Sequence, residues 1–383
     1  MLTFVAALLA QVAAGESITV TATRTETRLA DTPASVVVLS REALDQTTAP
    51  TIDDALRQVA GFTLFRRAGS RVANPTAQGV SLRGVGASGA SRALVLDDGV
   101  PLNDPFGGWI YWGRVPRAAL ERVEVLRGGA SDLYGSSAIG GVVHFIRLTS
   151  PGVDAEVSAG SHGTAAVSSY SGLQHGEWNG SIAVDLLTTS GYALVRGGVR
   201  GAVDEAADSR HANIDATLRH RGTYVRASHY RESRSNGTPL QRNDTAILRL
   251  SAGAEVKLRG GLLSLRADGS DQDYFQTFSA VAADRSSERL TIEQEVPSRG
   301  MGAGAQWTRP LRDRHVLVAG ADVRSVRGRS DELRVHAGRH LPCHLPRHRG
   351  RPPAHRRRVP GRPDLHDSLA HRRRGRPRGR MAK

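Results

Sequence analysis

The stretch Ala119–Ile146, ALERVEVLRGGASDLYGSSAIGGVVHFI, decides how this chain is read. Glu121, Val123, Val125 and Arg127 alternate with Arg122, Glu124 and Leu126, the period of two that predicts a strand with one wet face. Gly128-Gly129 breaks that strand. Leu133-Tyr134-Gly135 and the pair Gly140-Gly141 predict close backbone approaches, which glycine tolerates because it lacks a Cβ. Val142, Val143, Phe145 and Ile146 then resume strand composition.

The E-R-V-E-V-L-R-G run from Glu121, the L-Y-G at Leu133–Gly135 and the G-G-V-V at Gly140–Val143 closely resemble the C-terminal part of the plug domain of TonB-dependent outer-membrane receptors. Leu82–Gly84 and Val95–Pro101 are similar to two further signatures of the same family, L-R-G and V-L-x-D-G-V-P. Two positions depart from its pattern: Gly129 stands where proline is usual, and His144 where asparagine is usual. The resemblance implies an α+β plug domain followed by part of an antiparallel transmembrane β-barrel.

Composition bounds the alternatives. Glycine at 42 residues with 5% aromatics fits a turn-rich β protein more than a helical one. The net charge of +15 suggests nucleic acid at first sight, but residues 335–383 hold 14 Arg and 1 Lys against 2 Asp, which is +13 of that total. The single cysteine, Cys343, allows no intrachain disulfide. No apolar run reaches the roughly 18 residues of a membrane-spanning helix, so a spanning form of this chain has to be a barrel.

Residues 1–14 have the apolar length of a signal-peptide core, with Val12-Ala13-Ala14 offering small residues for cleavage and no basic residue before them. Residues 15–30 follow as a linker. Within it Glu16, Ser17, Ile18, Thr19, Val20, Thr21 and Ala22 resemble the TonB box, which the family presents to its energy-transducing partner. Alternating Ile18 and Val20 suit addition as a strand to a partner's sheet edge.

Residues 31–150 read as the plug. Val36–Leu39 predicts a buried strand, Ser40 an N-cap, and Ile52, Ala55, Leu56 and Val59 one face of a second helix ended by Gly61. Gly84–Gly89 satisfies G-x-G-x-x-G, but a strand follows instead of a helix, so the dinucleotide reading fails. Phe106, Trp109, Tyr111 and Trp112 gather on a Gly- and Pro-rich loop, and Arg66, Arg71, Asn74 and Gln78 on another. Such loops serve either as a recognition surface or as packing. The resemblance implies that plug loops face ligand, and that Arg83, Arg127, Glu121 and Glu124 lie at the interface of plug and barrel wall.

Residues 151–334 alternate as about ten candidate strands, most clearly Leu248, Leu250, Ala252, Ala254, Val256 and Leu258 against Ile247, Arg249, Ser251, Gly253, Glu255 and Lys257. A soluble β-sandwich would alternate similarly. Plugged transporters have about 22 strands, so the wall here is partial. Residues 335–383, rich in Arg, Pro and His without strand period, predict a disordered basic tail and read as translation in a shifted frame. His340, Cys343, His344 and His348 do not make a convincing metal cluster.

The first 334 residues show no paired carboxylates, nucleophile elbow or metal-ligand spacing, so neither an enzyme, a cofactor nor a metal is expected. The family resemblance implies an outer-membrane receptor for energy-coupled uptake of a scarce ligand such as an iron-siderophore, cobalamin or oligosaccharide. Its partners would be the TonB–ExbB–ExbD complex, outer-membrane lipid and the small-molecule ligand, with no nucleic acid. The competing reading is a non-transporting plug fragment, acting at most as a secreted or periplasmic binding module.

Overall fold

The computed structural model describes residues 19–20, 27–29, 32, 34–66, 68–85, 90–311 and 315–335. The expected signal segment, the residues beyond Val335, and Glu16, Ser17, Ile18, Thr21 and Ala22 lie outside them. Two short strands, β1 (Thr19–Val20) and β2 (Thr27–Arg28), pair antiparallel. The plug follows as β3 (Val36–Ser40), α1 (Arg41–Gln46), α2 (Ile52–Ala55), β4 (Phe62–Leu64), β5 (Val80–Leu82), β6 (Ala93–Asp97), β7 (Val100–Pro101), β8 (Leu120–Arg127), α3 (Ser131–Tyr134) and β9 (Gly141–Arg147). Its main sheet has the order β3-β8-β9-β6-β7, with only β6 and β9 parallel, and β4 and β5 form a separate pair.

Period-two packing explains this sheet. Val95, Val123, Val125, Val143 and Phe145 point to one face, where Leu39, Leu44, Ile52 and Leu56 complete the larger core. Leu94, Leu96, Leu126 and Val142 point to the other, against Ala130 and Ala138. The wet face expected for β8 is therefore dry: Glu124 is 0% exposed and Leu126 5%. The α3 segment folds back over that face, and Arg122 Nε donates to Glu124 at 2.9 Å. Ser40 caps α1 as expected, its hydroxyl accepting from the Ala43 N–H at 3.3 Å. Gly141, at φ +130°, begins β9 where a Cβ would lie 2.2 Å from the Leu126 carbonyl oxygen.

The wall comprises β10 (Gly152–Gly160), β11 (Thr164–His175), β12 (Trp178–Thr189), β13 (Ser209–His220), β14 (Thr223–Ser235), β15 (Arg242–Leu258), β16 (Gly261–Val281), β17 (Glu288–Glu295), β18 (Ser298–Leu311), β19 (His315–Gly328) and β20 (Asp331–Arg334). All its pairings are antiparallel. β17 and β18 run along β16 as one. Near their junction, register continues from Phe275↔Glu295 to Gln272↔Ser298. Pro297 has no N–H to give the ladder, which interrupts the strand without turning it. β19 and β20 follow the same line, so the eleven strands make nine runs.

Connections 176–177, 221–222 and 259–260 are tight, while 190–208, 236–241 and 282–287 are longer and sit on the opposite rim. In transmembrane barrels the short turns face the periplasm and the longer loops face outward. Side-chain direction agrees with a lipid setting. On β15 Leu248, Leu250 and Val256 are 48%, 54% and 49% exposed, whereas Thr245, Arg249 and Ser251 are at most 7% exposed. The apolar set faces away from the plug and the polar set faces it, the reverse of a soluble sandwich.

Candidate functional site at the seam between plug and wall

Four ion pairs join plug to wall among the described residues. Arg41 at the start of α1 pairs with Asp154, and Arg117 with Glu156 at 3.7 Å. Asp98 meets Arg219 at 3.2 Å. Asp97 is the centre of the most buried group. Arg147 of the same sheet grips both its oxygens at 2.7 and 2.8 Å, and Arg226 of β14 reaches it at 2.5 Å. Arg226 also donates through Nε to Asp215 of β13 at 2.7 Å. Burial alone would raise the Asp97 carboxyl, but Arg147 and Arg226 outweigh it and hold the group well below the ordinary carboxylate value.

The four residues expected at this interface are placed differently. Arg83, at φ +54°, is exposed, and its N–H donates to the Gly61 carbonyl at 2.7 Å. Arg127 ties β8 to its own domain, donating to the Ala60 carbonyl at 3.2 Å and the Ser35 hydroxyl at 2.8 Å. Glu121 is exposed and pairs with Arg122, which also holds buried Glu124. The charges that cross to the wall come instead from Asp97 at the end of β6, Asp98 in the turn after it, Arg41 at the start of α1 and Arg117 just before β8. Asp97 and Asp98 stood in the V-L-x-D-G-V-P signature, and Arg219 and Arg226 each sit among polar positions of a wall strand, so both halves of the signal were present without a rule to join them.

Both candidate loops approach the rim of longer connections. In the first, Ser209 at the start of β13 donates to the Arg71 carbonyl at 2.5 Å, and Arg234 at the end of β14 donates to the carbonyls of Ser70, at 3.0 Å, and Ala73. Within that loop Arg66 is buried against Asp53, and Gln78 is 2% exposed with its amide donating to the Ala73 carbonyl. Asn74 caps the turn Pro75–Ala77, and Arg71 donates to the Pro50 carbonyl. These side chains shape the loop, and Arg71 and Gln78 also line a cleft of the seam.

In the second loop Phe106 is 50% exposed, while Trp112 belongs to the plug core at 4%. Trp109 packs on Tyr274 of β16 with ring centroids 5.5 Å apart, and Tyr111 on Tyr230 of β14 at 5.9 Å. Asp104 organises the loop's base: it accepts from the Phe106 N–H at 2.9 Å and from the Gln272 amide of β16 at 2.5 Å. Sequence reasoning found the plug aromatics but not their wall partners, because an isolated inward Tyr has no local signature.

A cleft of about 80 Å³, open to solvent, follows the seam beside β10–β14, lined among others by Arg71, Trp112, Arg117, Asp185, His211 and Glu232. His211 of β13 and Asp185 of β12, neighbours in the wall, meet beside it at 2.7 Å. The lining mixes charges of both signs with apolar side chains. Among the described residues no group of His, Cys, Asp and Glu has the arrangement of a metal site.

Residues 28–142 match the family model described as the TonB-dependent receptor plug domain. Over 179 residues, 46% of this chain and 28% of the relative, the chain is 31% identical to the vitamin B12 transporter BtuB of Vibrio cholerae serotype O1 strain O395. It is 34% identical over 147 residues, 38% of this chain and 23% of the relative, to BtuB of Vibrio vulnificus strain CMCP6. Among solved structures, the pyoverdine outer membrane receptor FpvA of Pseudomonas aeruginosa PAO1 superposes with a TM-score of 0.63 at 16% identity, covering 84% of this chain and 50% of that one. The matched stretches thus span less than a third of these curated relatives and half of the solved receptor.

Proposed function

We propose that this chain, which carries the plug domain of a TonB-dependent receptor and part of its barrel wall, serves energy-coupled uptake of a scarce ligand. Its setting is the outer membrane of a Gram-negative bacterium. The observation that carries the reading is the plug's seating. It meets the wall through a few ion pairs and hydrogen bonds, while two of its loops reach the rim of longer connections. Ions already desolvated can exchange partners with modest net change, so such a seam holds the plug yet lets it rearrange.

In this reading ligand binds above Arg71–Ala73 and Phe106–Tyr111. The segment Glu16–Ala22 is offered to TonB, and force from the TonB–ExbB–ExbD complex shifts the plug along the seam. Thr19 and Val20 pair as a strand with Thr27–Arg28, a pairing that supports recruitment by strand addition. The ligand class is an iron chelate or a corrinoid, the latter on the strength of the Vibrio vitamin B12 transporters.

Labelled cobalamin and ferric siderophores should be offered to cells that depend on this chain for uptake, with and without TonB and with Val20→Pro, which removes a strand donor. Uptake of one ligand that disappears in both TonB-free and Val20→Pro cells is expected. A chain recovered in the periplasm that binds ligand without importing it, or uptake indifferent to TonB, would overturn the proposal.

A further inference from the structure

Arg249 is the one inward arginine of β15, 7% exposed, and its Nε has no hydrogen-bond partner. Among the described residues it forms no ion pair. It lines a small cavity in the seam together with Asp97, Arg114, Arg226, Ser228 and Ser251. Asp97 is the only carboxylate there, and both its oxygens are taken by Arg147 and Arg226. Arg226 divides itself between Asp97 and Asp215, and Arg114, 6% exposed, has the Leu102 carbonyl at 3.3 Å. Asp268 of β16, opposite Ser251, and Asp97 favour the Arg249 cation without touching it, while Arg114 and Arg324 oppose it. Five guanidiniums, of Arg114, Arg147, Arg226, Arg249 and Arg324, thus stand against three carboxylates, of Asp97, Asp215 and Asp268.

A buried cation without a counter-charge is among the costliest arrangements in a protein, and one removed from water is normally paired. We propose that this cavity binds a small inorganic anion between Arg249 and Arg114, with the Ser228 and Ser251 hydroxyls as further donors. The anion completes the charge balance of the plug–wall seam next to the Asp97–Arg226 contact. Its retention would therefore stabilise the seated plug by mass action. Charge-assisted donors of this kind serve a halide or an oxyanion alike.

The full chain in detergent should be melted in sodium gluconate and then with bromide or with phosphate at matched ionic strength. At least one of the two anions is expected to raise the wild-type melting midpoint by several degrees. Arg249→Met should lose that response and melt at or above the wild type in gluconate, because the unpaired charge is gone. Crystals of the wild type in bromide should show an anomalous peak within hydrogen-bond reach of Arg249, a readout that survives if the variant does not fold. No response to either anion, a response unchanged in Arg249→Met, or a bromide-soaked cavity without a peak when bromide was the stabilising anion would overturn the proposal.

Discussion

Arg226 of the wall and Asp97 of the plug form the most buried ion pair between the two bodies, and Arg147 and Asp215 extend it to four members. Replacing Asp97 with Ala leaves two guanidiniums buried beside each other. The expected loss is about 3–5 kcal/mol, the range for breaking a buried pair, read as a lower denaturant midpoint or faster proteolysis of the plug. Because the folded carboxyl sits below the ordinary value of 3.8, its contribution is complete above that value and is lost as pH falls below it. Asp97→Ala should remove that part of the acid sensitivity.

His144 predicts a second, milder pH dependence. Its Nε2 accepts from the Gly99 N–H at 2.9 Å, so the ring is neutral in the folded plug, and burial pushes its pKa down to about 4. The unfolded chain binds a proton near pH 6.5 and the folded one does not. Stability is therefore full above pH 6.5 and declines as pH drops from there toward 4, by on the order of 3 kcal/mol. His144→Asn can keep an acceptor near Gly99 without titrating. Melting curves from pH 4.5 to 7.5 should be flatter for that variant; equal slopes would count against the assignment.

Gly141 cannot take a side chain. A Cβ would lie 2.2 Å from the Leu126 carbonyl oxygen at a φ of +130°. Gly141→Ala should cost about 2 kcal/mol or more through strain and forced displacement of β8, whereas Gly135→Ala meets no atom within 4 Å and bears only its conformational penalty. Comparing the two variants by urea titration separates crowding from backbone preference.

Leu250 and Ser251 test which face meets lipid. Leu250→Arg on the outward face should impair membrane insertion by about 2–4 kcal/mol if it lies near the bilayer midplane. Ser251→Ala, turned toward the plug, should change insertion little. Heat-modifiable migration of outer-membrane fractions reports the difference, and equal behaviour of the two variants would contradict the orientation described for β15.

Much of the architecture was legible from local chemistry. Ser40 capped its helix, Gly141 marked a close approach, and the alternation of Leu248 and Leu250 with Arg249 and Ser251 gave the two faces of β15. What sequence could not supply were contacts between segments that no local period joins. Glu124 looked wet because its covering segment, around Ala138, arrives through a tight turn whose direction no period encodes. Arg127 looked like an interface residue because of its strand-end position, yet a carbonyl at Ala60 and a hydroxyl at Ser35 were nearer than any wall carboxylate. Trp112 and Gln78 are 4% and 2% exposed, and composition marks a loop without saying which side chains turn inward.

Pro297 has a topological consequence. By joining Glu288–Glu295 to Ser298–Leu311 without reversing direction, it changes the parity of the wall. Had these been two strands with a turn between them, the chain at Arg334 would stand on the side of the tight turns. With an odd number of traverses, the climb that begins in β10 is repeated in β19–β20, and Arg334 emerges level with the connection 190–208, on the rim of the longer loops.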